Sequence, residues 1–363
     1  MNIVINRSDA IGDTLLTMPM AKFIKAHLPK AKIIFIISPK SKDLFINHPY
    51  VDDIWTLDPK EKSQTNYLRK CFSKFKTDAY FHVGGSHFPT YAAWLSNVKI
   101  RGGLKSKWQT FVFLNKAIRQ HRSFVAMHES DYNISLLQPL GLDYDFSKRD
   151  QYRPEIKITE TELTTHLRSF VEDMQSQNKT TGKPLFFIHP GMSGHTLNWS
   201  SRNYARLVLK MEQLQPLKYI FIISYTPDDE RFLVALRDYF KANLTKELTD
   251  RVYFFDGSKR GLRHYMSILS QADIFIGPST GTTHIANTLG VKHVGLYSPI
   301  KAQSSLRWGP FTRHKDTTKV IVPDVVCGEL NQCSGETCPY YKCMDKVEVD
   351  DVLEAVRQLS LTK

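Results

Sequence analysis

The sequence lacks the features that mark membrane-spanning, secreted and repetitive proteins. It has no run of about 18 apolar residues, so no transmembrane helix is expected. Its N-terminus has no charged segment followed by a long apolar one, which argues against a secretory signal. Repeats with a period of about 20–50 residues are also missing. These absences predict a cytoplasmic protein that would meet a membrane only from its surface.

Cysteine is scarce, with five residues in 363. Cys71 stands alone, whereas Cys327, Cys333, Cys338 and Cys343 are separated by five, four and four residues. This spacing lacks the paired C-x2-C units of common zinc folds, and a reducing cytoplasm disfavours disulfides. We therefore expect buried or free thiols and no metal. A metal site and a crosslink formed in air are the alternatives.

Acidic residues are outnumbered by basic ones. The chain has 36 Asp and Glu against 49 Lys and Arg, a formal net charge of +13. Such an excess attracts nucleotides, nucleic acids or anionic membranes, although scattered surface lysines explain it equally well. The densest basic stretch runs from Arg101 to Arg122 and includes Lys105, Trp108 and Phe111. Basic residues mixed with aromatic ones hold a membrane or a nucleic acid, or form one amphipathic element on a core.

The sequence instead contains a regular alternation of short apolar runs and amphipathic segments. Hydrophobic residues make up 42% and charged residues 23%, which suits a globular protein with buried cores. Runs rich in Ile, Val and Phe predict strands at 3–5, 33–37, 54–57, 79–83, 185–188, 219–223, 252–255, 274–276 and 293–296. Helices are predicted at 14–27, 66–75, 160–176, 202–213, 228–240, 262–270, 282–289 and 349–359. Such alternation implies parallel sheets with helices on both faces.

The polar segment 177–184 ends in turn-forming residues and predicts a domain boundary. Residues 1–176 would form one Rossmann-like domain and residues 177–363 a second. The last helix would pack either on its own domain or back on the first. Two doubly wound parallel-sheet α/β domains in series predict a clamp whose halves face each other across a cleft. Ligands bind beyond the carboxyl ends of the strands in such sheets, so the loops that follow strands are the candidate sites.

The first of these loops, residues 7–13, carries a candidate general base. Gly12 permits a tight turn, and Asp13 is expected at the N-cap of the following helix. Capping is the simpler role. A carboxylate at the edge of a cleft could also take the proton of an attacking hydroxyl. The loop has neither the G-x-G-x-x-G nor the Walker A pattern, which disfavours dinucleotide and P-loop binding.

Two loops of the second half are rich in glycine and hydroxyl residues, as phosphate-binding loops are. The loop after strand 185–188 contains Ser193, Gly194 and His195, with a flexible turn as the alternative. The loop after strand 274–276 opens a helix, whose N–H groups and dipole favour an anion. Its candidate residues are Ser279, Thr280, Gly281, Thr282 and His284. Caps and a packed histidine are the plainer interpretation, but two such loops in one domain predict a diphosphate held between them.

The order and spacing of these motifs resemble those of glycosyltransferase family 9, the lipopolysaccharide heptosyltransferases and their relatives. The resemblance covers nearly the whole chain. It is carried by residues 8–19, by His189-Pro190-Gly191 with Asn198-Trp199, and by residues 272–286. The cysteine cluster with Cys343-Met344 is also similar to the family's C-terminal pattern.

The resemblance implies a GT-B fold and an inverting transfer of heptose from ADP-heptose to the inner core of lipopolysaccharide or lipooligosaccharide. The nucleotide sugar would be a co-substrate, with no other cofactor and no metal required. Asp13 matches the family's base. The residues that match its diphosphate loop are Thr280, Gly281 and His284.

The resemblance also implies a division of labour between the domains. The first would bind a lipid-linked acceptor similar to Kdo-lipid A at the cytoplasmic face of the inner membrane, and the second would bind the nucleotide. Candidate acceptor residues are Arg7, Ser8, Asp9 and Lys105. Nucleic acid is not expected as a partner.

Two positions depart from the family's pattern, and both touch the expected donor site. Ser279 stands where the family often has Asp, and Leu197 stands where many members have Lys. The alternative is therefore a GT-B transferase or epimerase that uses another nucleotide sugar. A non-enzymatic basic protein that binds nucleic acid or anionic lipid would leave the loops at the strand ends unexplained.

Overall fold

The structure, a computed structural model, describes residues 1–57, 64–192, 197–327 and 333–361. The chain divides into two compact units, Met1–Lys157 and Ile158–Lys363. Each is built on a six-stranded sheet whose paired strands are all parallel. In the described part of the chain, no helix is both long enough and apolar enough to cross a bilayer.

The first unit has the Rossmann strand order β3-β2-β1-β4-β5-β6. Its strands are β1 (Asn2–Arg7), β2 (Lys32–Ile37), β3 (Asp53–Thr56), β4 (Ala79–Gly84), β5 (Ile100–Leu104) and β6 (Lys116–Ile118). Its helices are α1 (Ile11–Leu15), α2 (Pro19–His27), α3 (Thr65–Phe75), α4 (Phe88–Leu95), α5 (Trp108–Phe113) and α6 (Glu129–Ser135).

The second unit repeats this topology, with the order β12-β11-β10-β7-β8-β9. Its strands are β7 (Leu185–Ile188), β8 (Ile220–Tyr225), β9 (Val252–Asp256), β10 (Ala272–Pro278), β11 (His293–Leu296) and β12 (Thr318–Ile321). Its helices are α7 (Glu160–Ser176), α8 (Ser201–Leu214), α9 (Glu230–Asn243), α10 (Lys246–Thr249), α11 (Gly261–Leu269), α12 (Gly281–Thr288), α13 (Ser305–Trp308) and α14 (Val349–Leu361).

All the predicted strands are present. They could be recognised in the sequence because the central strands are buried on both faces and are therefore nearly continuous apolar runs. The helix predicted at 14–27 is interrupted before Pro19, which begins α2 in the first turn, where proline is tolerated. β5 escaped prediction because its Gly102-Gly103 pair is unfavourable in a strand. β6 and β12 are short edge strands that contain lysine, and they escaped as well.

The boundary between the compact units differs from the one predicted at 176/177. α7 has the predicted bounds but belongs to the second unit, because its buried face packs there. Phe170 lies edge-on to Tyr253 and Phe255, with ring centroids 5.6 and 5.4 Å apart. The polar segment 177–184 therefore connects α7 to β7 within one unit. α14 also packs in the second unit, on α8, β11 and β12.

Candidate functional site

In the first unit, polar residues meet where the strand order reverses, between β1 and β4. β1 ends at Arg7 and β4 at Gly84, and the two residues are register partners after an irregularity at Asn6 and Arg7. The crevice beyond such a reversal point is where doubly wound sheets bind ligands. Of the predicted residues, Arg7 is the last residue of β1, and Ser8, Asp9 and Asp13 lie in the loop and helix that follow it.

The buried guanidinium of Arg7 organises this loop. Its Nε donates to Asp9 Oδ1 at 2.8 Å, and its Nη2 donates to the carboxylate of Asp13. Its Nη1 donates to the carbonyl of Val83 at 3.3 Å and lies 4.0 Å from Glu129 Oε1. One permanently charged group thus holds three carboxylates around the end of β1.

Asp13 is not the cap that the sequence suggested. Ala10 occupies the N-cap of α1 in an extended conformation, and Asp13 lies within the first turn. Its carboxylate pairs with Arg7 instead, and its side chain stays 22% exposed, so the carboxylate can reach a ligand. Burial raises the pKa of Asp13 to about 6 against the lowering effect of Arg7, with smaller upward contributions from Asp9 and Glu129.

Glu129 is a residue of this site that sequence reasoning missed. Its buried carboxylate pairs with Arg122 as well as facing Arg7. Arg122 also donates to Asn133 Oδ1 at 3.1 Å, and Asn133 donates to the carbonyl of Leu16 at 3.1 Å. These contacts tie α6 to the end of α1. One signal was available, since Glu129 is the first acidic residue after Asp78.

Gly84 and Gly85 were also missed, although they let β4 approach the loop. A Cβ on Gly84 would lie 2.7 Å from Arg7 Nη1. Gly85 has a φ of +81°, and a Cβ there would lie 2.5 Å from Ser8 Oγ and 2.8 Å from Ser8 N. Only glycine combines this conformation with this contact. Ser8 Oγ then accepts a hydrogen bond from the backbone N–H of Ser86 at 3.0 Å.

Lys105, the fourth candidate for acceptor binding, lies apart from Arg7, Ser8 and Asp9. It follows β5, two strands away from β1, and its ammonium lies 4.8 Å from the ring centroid of Phe111. The structure therefore brings Lys105 to the same edge of the sheet but pairs it with an aromatic ring.

In the second unit, the strand order reverses between β7 and β10. The two strands pair in register up to Ile188 and Ile276, and His189 N donates to the carbonyl of Ile276 at 2.8 Å. The loops after β7 and β10 are therefore neighbours at the carboxyl edge of the sheet, as predicted. The residues Ser193, Gly194 and His195 lie outside the described part of the chain.

The loop after β10 presents hydroxyl groups at the start of α12. Thr280 is the N-cap in an extended conformation, but its side chain does not cap the helix. Its hydroxyl instead lies 2.7 Å from that of Thr282, whereas the Thr283 hydroxyl donates to the carbonyl of Pro278. Ser279, Thr280, Gly281 and Thr282 are partly exposed, whereas His284 is buried in the first turn of α12. This helix start fits an anion.

The loop after β7 is anchored at both ends. His189 is buried with Nδ1 3.1 Å from the carbonyl oxygen of Ser224, and burial lowers the pKa of His189. Asn198 Nδ2 donates to the carbonyl of Pro190 at 2.5 Å, and Trp199 Nε1 donates to the carbonyl of Val347 at 2.7 Å. The Asn-Trp pair quoted from the sequence thus closes the loop and fixes it to the C-terminal segment.

The four clustered cysteines converge on one small cavity of about 20 Å³. All are free, and Leu197 lines the same cavity. Cys333 and Cys338 accept backbone N–H···S contacts from Gly335 and Tyr340 at 3.4 Å. No group of three or more His, Cys, Asp or Glu side chains in the described ranges is arranged to hold a metal ion.

Two α/β units of Rossmann strand order, as in solved heptosyltransferase structures, give the chain the GT-B fold. The family model of glycosyltransferase family 9 (heptosyltransferase) matches residues 90–329. The chain therefore belongs to glycosyltransferase family 9, and the resemblance seen in the sequence is confirmed. Asp13 lies outside the matched segment, so the family match does not test the role expected of it.

A related protein and two solved structures support this assignment. The chain is 24% identical over 311 residues to a Haemophilus influenzae protein named for an assumed glycosyltransferase activity, covering 85% of both chains. Its fold is similar to a glycosyl transferase family 9 structure from Veillonella parvula (TM-score 0.77, 20% identity, 100% and 97% coverage). It is also similar to the E. coli ADP-heptose lps heptosyltransferase II (TM-score 0.75, 16% identity, 99% of both chains).

The close approach of Gly85 to Ser8 predicts that two matched substitutions differ in how much they lower the free energy of unfolding. Gly85→Ala and Gly141→Ala both add a Cβ at positive φ, but at Gly141 no atom lies within 4 Å. Gly85→Ala should therefore lose about 1–3 kcal/mol more unfolding free energy, because its Cβ also meets Ser8. Urea denaturation of both variants measures the difference. Equal losses would show that Gly85 is needed only for its backbone angle.

Proposed function

We propose that this protein transfers a heptose from ADP-heptose to a lipid-linked lipopolysaccharide or lipooligosaccharide acceptor, with inversion at the anomeric carbon. Membership in a heptosyltransferase family supports the reaction class. The structural similarity to an E. coli enzyme named for ADP-heptose supports the choice of donor. The observation that carries the proposal is the Asp13 carboxylate, held by Arg7 at the reversal point with a pKa of about 6.

Asp13 acts as the general base in this proposal. Its carboxylate takes the proton of an acceptor hydroxyl while that oxygen forms a bond to the anomeric carbon of the donor. The bond from the anomeric carbon to the diphosphate oxygen breaks on the opposite face, and its electron pair leaves with the nucleoside diphosphate. A base with a pKa near the working pH suits this step, since it is largely ionised yet still basic enough to accept a proton.

Arg7 fixes the direction of that carboxylate. A buried Arg beside a lone Asp would make the carboxylate a poor base, because the positive charge lowers the carboxyl pKa. Here the same guanidinium is shared with Asp9 and faces Glu129. Arg7 therefore orients Asp13 while the other two carboxylates offset part of its charge.

The loops after β7 and β10 receive the donor diphosphate in this proposal. The N–H groups at the start of α12 and the hydroxyls of Thr280 and Thr282 would stabilise the charge on the leaving group. The proposal assigns the stabilisation of this charge to hydrogen bonds and the helix dipole and includes no metal. Ser279 brings no carboxylate next to the diphosphate, which removes one source of repulsion.

We expect the reaction at the cytoplasmic face of the inner membrane, with the first unit binding the acceptor and the second the nucleotide. A lipid-linked acceptor lies in a membrane, and its sugar head is what the enzyme must reach. The excess of basic residues suits an anionic membrane surface and a phosphorylated acceptor.

Replacing the base should abolish most turnover without weakening donor binding. Asp13→Asn keeps the size of the side chain but removes its basicity, so kcat should fall about 100- to 10,000-fold. Donor affinity, measured by calorimetry, should stay unchanged. Asp9→Asn is the matched control, because it also loses a carboxylate partner of Arg7. A fall in kcat as large for Asp9→Asn as for Asp13→Asn, or near-normal turnover of Asp13→Asn, would remove Asp13 as the base.

The raised pKa of Asp13 predicts an acid limb in the pH profile. The base is ionised above its pKa, so kcat/KM should rise with pH up to about 6 and then level off. Glu129→Gln removes a negative charge that raises this pKa, so the limb should move to lower pH. Rates are compared only over the pH range in which circular dichroism shows the variant folded. A limb that stays in place would mean that Glu129 has no influence on Asp13.

A donor screen tests the identity of the sugar nucleotide. A ligand that binds only the folded protein stabilises it by about 2.7 kcal/mol at about 100 times its Kd. ADP-heptose should therefore raise the Tm, while ADP-glucose and UDP-glucose at equal concentration should raise it less. Mass detection of the product separates transfer to an acceptor from epimerisation of the donor. A shift with a UDP-sugar alone would exclude ADP-heptose as the donor and favour the alternative drawn from Ser279 and Leu197.

A further inference from the structure

We propose that the first unit docks on an anionic lipid bilayer through a surface formed by α4 and α5. This aromatic surface consists of Tyr91, Trp94, Trp108, Phe111, Val112 and Phe113. The inference rests on the proposed function in one respect: a lipid-linked acceptor is what would make docking useful. The surface itself is argued from exposure, charge and position.

The aromatic surface is continuous rather than a scatter of exposed side chains. Phe113 contacts the rings of Tyr91, Trp94 and Trp108, with centroids 5.2, 5.3 and 6.1 Å apart. Trp108 is 66% exposed, Val112 61% and Phe111 50%. Single exposed apolar residues are ordinary on a protein surface, whereas a contiguous group of them marks an interaction site.

α5 buries a polar residue and exposes apolar ones, the reverse of an ordinary surface helix. Its fully buried residue is Thr110, while its large apolar residues point outward. Thr110 Oγ1 accepts the N–H groups of Ser106 and Lys107 at 3.1 Å and donates to the carbonyl of Lys107 at 2.6 Å. The turn is therefore held by polar contacts, which leaves the apolar side chains available for a partner.

The chain segment that carries this surface has side-chain charges of one sign. Residues 79–128 contain no Asp or Glu. The basic residues in this range are Lys99, Arg101, Lys105, Lys107, Lys116, Arg119 and Arg122, of which Arg122 is buried and paired with Glu129. Aromatic rings flanked by lysine are typical of elements that lie in a membrane interface. A second copy of this surface would bring like charges together, so a symmetric dimer is disfavoured.

The surface also borders the catalytic edge of its sheet. α4 and α5 follow β4 and β5, so both helices begin at the carboxyl edge, where β1 ends at Arg7. His87 is the N-cap of α4, and its ring lies 4.5 Å from that of His82. His82 Nδ1 in turn lies 3.1 Å from Asn6 Nδ2 on β1. A bilayer at α4 and α5 would therefore hold a lipid-linked acceptor beside Asp13.

Vesicle co-sedimentation without any nucleotide sugar tests the proposal on the full chain. Wild type should bind vesicles of phosphatidylcholine mixed with phosphatidylglycerol more strongly than phosphatidylcholine alone, and salt should weaken the difference. Trp108→Ser/Phe111→Ser should lower vesicle affinity at least about tenfold, because two exposed rings that would be buried in the bilayer are lost. Lys105→Gln/Lys107→Gln should lower it roughly fivefold per lysine, on the mixed vesicles only.

The matched control is Val234→Ser/Lys241→Gln on α9, which removes an exposed apolar residue and a lysine from the other unit. Its vesicle affinity should equal that of wild type. If Trp108→Ser/Phe111→Ser does not fold, quenching of wild-type tryptophan fluorescence by brominated lipids replaces it, since Trp94 and Trp108 would enter the bilayer.

Several outcomes would overturn the proposal. One is equal vesicle affinity of wild type and Trp108→Ser/Phe111→Ser, and another is an absence of quenching. Preferential binding to a single-stranded oligonucleotide would assign the surface to nucleic acid, and a dimer abolished by the double substitution would assign it to self-association. The vesicle assay contains no nucleotide sugar, so its outcome is independent of the donor screen. Vesicle binding could be confirmed even if ADP-heptose is not the donor, and ADP-heptose could be the donor even if the protein does not bind vesicles.

Discussion

The first unit depends on the compensation of one buried charge, the guanidinium of Arg7. An arginine cannot lose its proton in a protein, so burial without partners would cost several kcal/mol (order of magnitude). Asp9 and Asp13 come from the adjacent loop and helix, but Glu129 comes from α6, 122 residues along the chain. The loop after β1, the first turn of α1 and the start of α6 are therefore held in one arrangement. Gly84 and Gly85 make room for it.

The two units handle charge in opposite ways, and this difference fits a transfer reaction. The first unit surrounds one buried cation with carboxylates. Asp13 there has a pKa of about 6, and its carboxylate is oriented by the hydrogen bond from Arg7. The second offers N–H groups and hydroxyls at the start of α12, which suit an anion without supplying a base. The proposed displacement of a diphosphate by a hydroxyl needs a base and an anion-binding group, and these are the roles proposed for Asp13 and for the start of α12.

Much of the architecture could be predicted because helices covering both sheet faces leave a strong local pattern of apolar runs. The failures have identifiable causes. Gly102 and Gly103 concealed β5, because glycine is a poor strand former even where a tight approach to Phe81 demands it. Asp13 looked like a cap, but Ala10 holds that position. Leu197 stays an expected neighbour of the donor site, and the structure adds that it lines the cavity of the clustered cysteines.

The sequence by itself determined the α/β class, the strand-end loops, the family and the position of Asp13 after β1. Each of those features depends on residues that are close together along the chain. Only the tertiary structure decided that α7 belongs to the second unit, that Glu129 shares the site of Arg7, and that α5 buries Thr110 and exposes its aromatic residues. Each of these depends on a partner brought near by folding, and a local pattern carries no record of that partner.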